Sequence, residues 1–213
     1  MHRPSHSLVA FASRRDFLRS TSLAAEGIFL AGGIFAHAGP QPKLPVPVDE
    51  DQDSRRMQDL AAWTEMTMET PNPVPFGAEI FRTKTGERVA RAANAVAKEN
   101  DPSSHAEVRT IRLACARIKS PALAGCTLYT TCEPCPMCMA CALWAGLDRV
   151  VYGATISDAS KFVNQIMISA AEVARRSDMT CVVDGPIERD ACLALFTNPI
   201  MQKAFQQWKS RKH

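Results

Sequence analysis

Two short segments of the chain carry side chains suited to metal chemistry. The first is His105-Ala106-Glu107, and the second is Pro134-Cys135-Pro136-Met137-Cys138, where two cysteines lie three residues apart at a predicted helix start. One imidazole and two thiolates are ligands that zinc prefers, and three protein ligands leave its fourth position open, as in catalytic sites. The sequence therefore predicts one zinc ion per chain, bound by His105, Cys135 and Cys138.

Glu107 has the spacing of a proton carrier. Zinc with an open position lowers the pKa of a bound water to about 7, so hydroxide is available at neutral pH. A carboxylate two residues from the histidine ligand can lie beside the metal, take a proton from this water and deliver it to the substrate. We therefore predict that Glu107 is the catalytic residue of a hydrolytic reaction.

The eight cysteines also permit other interpretations. Four recur every three residues from Cys132 to Cys141, which is similar to an iron–sulfur pattern, but the last interval is one residue short and no proline is nearby. A thioredoxin-like redox pair would leave His105 and Glu107 without a role. Disulfides stay open as an alternative in an exported protein. The other four cysteines are expected to be small buried hydrophobic residues: Cys115, Cys126, Cys181 and Cys192.

The length and net charge of the chain indicate which kinds of partner it can bind. The chain has 213 residues, 46% of them hydrophobic and 22% charged, which is the balance of a globular protein. Its formal net charge is +3, but the first 38 residues hold four arginines against Asp16 and Glu26, which leaves only +1 for the remainder. Domains that bind nucleic acid through phosphates usually carry a strong basic surplus. We therefore expect a small-molecule substrate in preference to a nucleic-acid partner.

Residues 1–38 resemble a twin-arginine signal peptide. Arg14 and Arg15 precede a mostly apolar stretch, and Ala36-His37-Ala38 offers small residues at the two positions that a cleavage site requires. Glu26 limits the longest uncharged apolar run to residues 27–36, which is too short for a transmembrane helix. We predict a periplasmic or exported bacterial protein without a stable membrane anchor.

Proline content and hydrophobic periodicity divide the rest of the chain. Prolines and then acidic residues predict a linker over 39–53, and the folded domain is expected over 54–213, with Ser54 as the first helix N-cap. Strands are predicted at 77–81, 89–94, 127–131, 149–153 and 179–183. Helices are predicted at 54–70, 105–118, 135–145, 159–176, 188–196 and 199–209. This order predicts an α/β fold, a three-layer α/β/α sandwich around a five-stranded mixed sheet.

The stretch from Pro75 to Gly153 resembles the cytidine and deoxycytidylate deaminase superfamily, and within it the guanine deaminase and tRNA adenosine deaminase branches. The runs that carry the resemblance are Pro75-Phe-Gly-Ala78, Asn94, Asn100-Asp-Pro-Ser-Ser-His-Ala-Glu107, Thr131-Cys-Glu-Pro-Cys-Pro-Met-Cys138 and Arg149-Val-Val-Tyr-Gly-Ala154. An H-x-E segment followed by P-C-x-x-C is the signature of zinc deaminases. The resemblance implies zinc on the three ligands above, Glu107 as proton shuttle, and a hydrogen bond from Asn94 to the base.

The resemblance also implies further substrate contacts. Relatives place the backbone amide after the histidine ligand, here Ala106, near the zinc water or the substrate oxygen. Phe76 and Trp144 are candidate walls of a flat apolar slot. The guanine branch carries an aspartate at the position of Asp158 and closes its pocket with a C-terminal segment, here around Trp208. Asp158 is equally well explained as a carboxylate that stabilises a helix N-terminus.

We therefore predict a zinc hydrolase that deaminates a base or nucleoside, with guanine converted to xanthine and ammonia as the favoured reaction. The chain lacks the Asp-x-Lys-x-Gly segment that usually follows in the tRNA branch. Two alternatives stay open: a tRNA adenosine deaminase that forms inosine, and a non-catalytic zinc-binding module, which would have no need of Glu107. A homodimer is expected because relatives commonly pair through helices of this domain.

Overall fold

The structure is a computed structural model that describes residues 49–210. The predicted signal peptide and residues 39–48 of the predicted linker lie outside the described residues. The strands are β1 (Gly77–Arg82), β2 (Arg88–Ala93), β3 (Cys126–Cys132), β4 (Arg149–Ala154) and β5 (Val182–Asp184). The helices are α1 (Glu50–Glu65), α2 (Val96–Glu99), α3 (Ala106–Ile118), α4 (Pro136–Trp144), α5 (Ile156–Ala159), α6 (Ala170–Arg175), α7 (Arg189–Thr197) and α8 (Pro199–Ser210). In this part of the chain no helix combines the length and the apolar character that crossing a membrane requires.

The five strands form one mixed sheet in the order β2-β1-β3-β4-β5. β1 is antiparallel to β2 and β3, whereas β3, β4 and β5 are parallel. The β1–β2 connection turns at Gly86, whose φ of 71° favours glycine. Because β3 and β4 are parallel, their carboxyl ends meet at one edge, where α4 and α5 begin. The predicted fold class is confirmed.

Helices cover both faces of the sheet because successive side chains of its strands point to opposite sides. Tyr129 packs into a cluster with residues of α1, α7 and α8, whereas the adjacent Leu128 packs into a second cluster with residues of α3 and α4. All seven residues of β3 are buried. This central strand therefore holds the two helical layers in register.

α1 begins four residues before the predicted start at Ser54. Its N-cap is Asp49, whose Oδ1 accepts a hydrogen bond of 2.9 Å from the backbone N–H of Gln52. Aspartate is a favoured N-cap, and the acidic residues of the first turn interact favourably with the helix dipole. Residues 50–53 therefore belong to a helix and not to a linker.

Three other boundaries differ from the predictions. The predicted helix over 159–176 is largely a connection: α5, capped by Thr155, ends at Ala159, residues 160–169 are not helical, and α6, capped by Ser169, spans Ala170–Arg175. The last strand begins at Val182 and has three residues. α3 begins at Ala106, one residue after the predicted start, because His105 is its N-cap.

A buried ion pair anchors α1 to the sheet. Arg149 Nη2 lies 2.7 Å from Asp53 Oδ2, and both side chains are 3% exposed. Tyr129 donates its hydroxyl proton to Asp53, and Arg149 also donates to Asp184. Burial and the Asp53 hydrogen bond raise the pKa of Tyr129 to about 12. The network thus joins α1 to β3, β4 and β5 with every charge partnered.

Replacing Arg149 with methionine should destabilise the protein strongly. The substitution would leave Asp53 buried without its cation, which typically costs about 3–5 kcal/mol of unfolding free energy. Urea denaturation followed by circular dichroism measures this loss. Arg175→Met is the control, since Arg175 is 70% exposed and pairs with Glu172 on the surface of α6. Equal losses of unfolding free energy in the two variants would contradict the role of Arg149 as the buried partner of Asp53.

Candidate metal centre

Two helices begin at the candidate ligands. His105 is the N-cap of α3 and Cys135 is the N-cap of α4, and neither side chain forms a capping hydrogen bond. N-cap positions usually hold Ser, Thr, Asp or Asn, whose oxygens accept from the first N–H groups. An imidazole and a thiol at these positions are instead available to each other and to a ligand.

The three predicted ligand atoms lie at the spacing that zinc requires. His105 Nδ1 is 3.8 Å from Cys135 Sγ and 3.5 Å from Cys138 Sγ, and the two sulfurs are 3.6 Å apart. Tetrahedral zinc at ordinary bond lengths needs about 3.8 Å between sulfurs and about 3.6 Å between sulfur and nitrogen. Within residues 49–210 no other group of His, Cys, Asp or Glu side chains has an arrangement suited to a metal ion. The donor set therefore fits zinc.

The electrostatics of the cluster also suit a cation. The pKa of Cys135 is lowered to about 4, first because Cys138 donates a hydrogen bond to its sulfur and also because His105 does. The pKa of Cys138 is raised, since its proton is held by Cys135 and the side chain is buried. The positive ends of the α3 and α4 dipoles favour thiolates here. The two sulfurs thus share a proton in a position that a metal ion would take.

Glu107 lies beside the ligands without belonging to their group. It is the second residue of α3, is 6% exposed, and lies close to His105 and Cys138. Burial raises its pKa to about 7, although the nearby His105 lowers it in part. The carboxyl group therefore gains and loses a proton near neutral pH, as a general acid and base must.

Two predicted substrate contacts lie at the ends of elements that meet near His105. Ala106 opens α3, so its N–H is one of the first four without an acceptor inside the helix. Asn94 follows β2, and its Oδ1 accepts a hydrogen bond of 3.1 Å from the N–H of Val96. One acceptor site of the oxygen is thus engaged, and the amide nitrogen is a donor that Asn94 can offer to a ligand.

An aromatic cluster joins the two predicted pocket walls. Phe76 meets Phe196 edge-on at 5.3 Å between ring centroids, and Phe196 stacks on Phe205 at 6.2 Å. Trp208 of α8 contacts the same Phe205 edge-on at 5.4 Å. Phe76 and Trp208 are both half-buried. Their contact with a base stays a prediction, but a shift of α8 would reach Phe76 through this cluster.

Asp158 is engaged by protein groups on both oxygens. Arg189 donates to Oδ1 at 2.6 Å and to Oδ2 at 2.9 Å, and Thr155 forms a reciprocal cap with it at the start of α5. The Arg189 guanidinium holds the pKa of this carboxyl well below its usual range. These contacts match the second interpretation, a carboxylate that stabilises a helix start, and its contact with substrate stays a prediction.

Two positioning side chains were missed by the sequence reasoning. Glu133 is 8% exposed, and its carboxylate accepts from the N–H groups of Ile156 at 3.0 Å and Ala170 at 2.9 Å. The Thr131 hydroxyl donates to the carbonyl of Pro75 and accepts from the N–H of Gly77, on either side of Phe76. Both residues lie inside the run Thr131–Cys138 that carries the family resemblance, and this run was the only feature of the sequence that pointed to them.

The remaining cysteines do not extend the cluster. Cys132 is buried and Cys141 is half-buried, and neither belongs to the metal-binding group. None of the eight cysteines, all of which lie within residues 49–210, forms a disulfide. Cys126 and Cys192 are buried as expected, whereas Cys115 and Cys181 are only half-buried because they lie towards the outer surface of their segments.

Comparisons with known proteins agree with this geometry. The profile described as "Cytidine and deoxycytidylate deaminase zinc-binding region" matches residues 50–154. The chain is 46% identical over 87 residues to the guanine deaminase of Bacillus subtilis (strain 168), which is 41% of this chain and 54% of that protein. The chain thus spans about half the length of this relative.

Two further comparisons extend over more of the chain. The tRNA-specific adenosine deaminase of Buchnera aphidicola subsp. Schizaphis graminum (strain Sg) is 30% identical over 135 residues, 62% of this chain and 83% of that protein. A solved structure of guanine deaminase from Nitrosomonas europaea has a TM-score of 0.61 at 20% identity, covering 79% of this chain and 98% of that one, which shows a shared fold. With most of one relative matched and the signature residues gathered at one centre, the chain belongs to the cytidine and deoxycytidylate deaminase family.

Proposed function

We propose that the protein is a zinc-dependent hydrolytic deaminase that converts guanine and water into xanthine and ammonia. The observation that carries this proposal is the buried Glu107 beside an imidazole and two thiols at zinc spacing. A purely structural zinc site has no need of a buried carboxylate whose pKa lies near neutrality. The similarity to a guanine deaminase supports the choice of substrate.

His105, Cys135 and Cys138 would hold the zinc ion. When bound with three protein ligands, zinc supplies Lewis-acid activation of water at neutral pH. Glu107 would take one proton from the attacking water and deliver it to a ring nitrogen. It would then take the second proton from the hydroxyl left on the substrate carbon and deliver it to the amino group, which leaves as ammonia. Its pKa of about 7 suits both transfers, because the group is neither strongly acidic nor strongly basic at neutral pH.

Other groups of the chain would bind and orient the base. The Asn94 amide nitrogen would donate to the ring, and the Ala106 N–H, at the positive end of α3, would stabilise a substrate oxygen as negative charge develops. Phe76 would pack against the flat face of the purine. The half-buried position of Phe76, fixed on both sides by Thr131, supports this role.

A tRNA adenosine deaminase is the second candidate. The similarity to the Buchnera enzyme over most of its length favours it. The net charge of +1 outside the first 38 residues and the missing Asp-x-Lys-x-Gly segment favour a free base instead. Binding of an anticodon stem-loop that weakens steeply with added salt would support the tRNA candidate.

Guanine should be the substrate among free bases and nucleosides. The measurement is ammonia release by zinc-loaded protein from guanine, guanosine, adenine, adenosine, cytosine and cytidine. Turnover of guanine alone is expected. Turnover of a different base or nucleoside would support the deaminase reaction and contradict guanine as the substrate. No turnover of any of the six compounds would favour the tRNA candidate or a non-catalytic zinc module.

Glu107→Gln should abolish turnover and keep zinc. The amide has nearly the same shape but cannot carry the proton, so the rate should fall by about 10²–10⁴-fold, the usual contribution of general acid and base catalysis. Zinc content by atomic absorption should remain one per chain. Glu65→Gln, on the exposed surface of α1, is the control. Retained turnover in the Glu107 variant would refute its role.

We also propose that two copies of the chain pair through α4. The helix has no charged residue, and its outer face presents Met137, which is 37% exposed, and Trp144, which is 79% exposed. Large exposed apolar side chains that lie on one surface are typical of association sites. A second copy of the same uncharged face would cover Trp144 without burying an unpaired charge.

Trp144→Glu should convert a dimer into a monomer. Two copies would bring two carboxylates into an apolar interface, where each loses water without gaining a partner. Analytical ultracentrifugation measures the mass of both proteins. Leu113→Glu, on the exposed side of α3, is the matched control. A monomeric parent protein, or a Trp144 variant that remains dimeric, would contradict this interface.

A further inference from the structure

Arg109 links the two elements that meet at the metal centre. It lies one turn into α3, where its N–H donates to the carbonyl of His105 at 3.0 Å. Its Nη1 leaves the helix and donates to the carbonyl of Ala93 at 2.5 Å. Ala93 is the last residue of β2 and immediately precedes Asn94. One guanidinium therefore joins the strand end that carries Asn94 to the helix that begins at His105.

A second branch of the same guanidinium returns to the segment before His105. Arg109 Nη2 donates to Glu99 Oε1 at 2.8 Å, and Glu99 Oε2 accepts from the Ser104 hydroxyl at 2.6 Å. Ser104 is fully buried, and its carbonyl accepts from the N–H of Ala95 at 2.9 Å. The hydrogen bonds thus form a closed ring around the residues next to Asn94 and next to His105.

This ring of hydrogen bonds contributes more to the position of the two segments than to the free energy of folding. The side chains of Arg109 and Glu99 are 26% and 39% exposed, and ion pairs of such exposure add little to the free energy of folding. Catalysis is more demanding, since a displacement of about 1 Å between a substrate contact and the reacting centre can cost about 10²-fold in rate. A side chain can therefore be nearly neutral for folding and important for turnover.

We propose that Arg109 is a positioning residue that sets the separation between the Asn94 end of β2 and the His105 end of α3. The proposed effect on turnover rests on the deaminase function above, whereas the positioning itself does not. By fixing both segments, Arg109 would keep the amide that binds the base at a constant distance from the metal ligand and from Glu107.

Arg117 provides a matched control on the same helix. Its Nη1 donates to the carbonyl of Val89 at 3.1 Å, and its Nη2 contacts Glu87 Oε1 at 3.1 Å. Like Arg109, it therefore joins α3 to a β2 carbonyl and to a glutamate. Its contacts lie at the other end of β2, away from Asn94 and His105.

The first test measures position without relying on activity. Amide hydrogen exchange by NMR is compared in the zinc-loaded full chain and in its Arg109→Met and Arg117→Met variants. Exchange at Ala95 and Val96 should become about tenfold faster in Arg109→Met only, because the charged hydrogen bonds that hold this segment are lost. Unchanged exchange, or equal changes in the two variants, would overturn the proposal.

The second test measures the effect on chemistry. Arg109→Met should lower kcat/KM by about 10²-fold while zinc content and Tm stay close to those of Arg117→Met. Arg109→Lys, which keeps one charged donor for Ala93 but cannot also reach Glu99, should recover part of the loss. If Arg109→Met does not fold, Arg109→Lys carries both measurements. Equal kcat/KM in the Arg109 and Arg117 variants would overturn the catalytic part.

The two tests separate the two proposals. A parent protein without turnover, in which Arg109→Met still accelerates exchange at Ala95 and Val96, would overturn the deaminase function and support the positioning role. An active parent protein with unchanged exchange in Arg109→Met would support the function and overturn the positioning role.

Discussion

The arrangement of the whole site depends on two helices that begin at the same place. α3 and α4 start at His105 and Cys135, and their first residues must approach until a nitrogen and two sulfurs lie within 3.8 Å of one another. The fully buried strand β3 makes this possible, because it packs against helices on both faces and ends immediately before the cysteine loop. Packing in the core therefore helps to determine the geometry of the centre.

Cys135 and Glu107 lie in the same small centre, but their pKa values are shifted in opposite directions. The sulfur of Cys135 is stabilised as a thiolate by the donors around it, whereas Glu107, buried two residues after His105, retains a proton up to near neutral pH. Hydrogen-bond donors explain the first shift and loss of water explains the second. A centre of this kind holds negative charge for a cation and keeps a separate group ready to exchange protons, although the two lie side by side.

Local patterns predicted the ligands and the elements, and distant contacts account for what they missed. His105 was identified with Glu107 two residues later, and Cys135 with Cys138 three residues later, and the zinc deaminase signature joined these two segments. The strands followed from runs of apolar residues between turn residues. The partners of Glu133, Arg109 and Asp53 are 10 to 96 residues away, and no periodicity indicates them. The division between α5 and α6 was missed for the same reason, since a carboxylate from β3's end fixes both helix starts.

The two hydrogen bonds of Glu133 have a consequence for how such proteins diversify. They fix the first residues of α5 and α6, so the ten-residue connection between them, 160–169, begins and ends at anchored points. Anchored loops tolerate changes in length and sequence at small entropic cost. Phe162 of this connection packs on Phe196, which also contacts Phe76. Changes in this loop can therefore alter the surroundings of Phe76 while His105, Glu107, Cys135 and Cys138 stay in place.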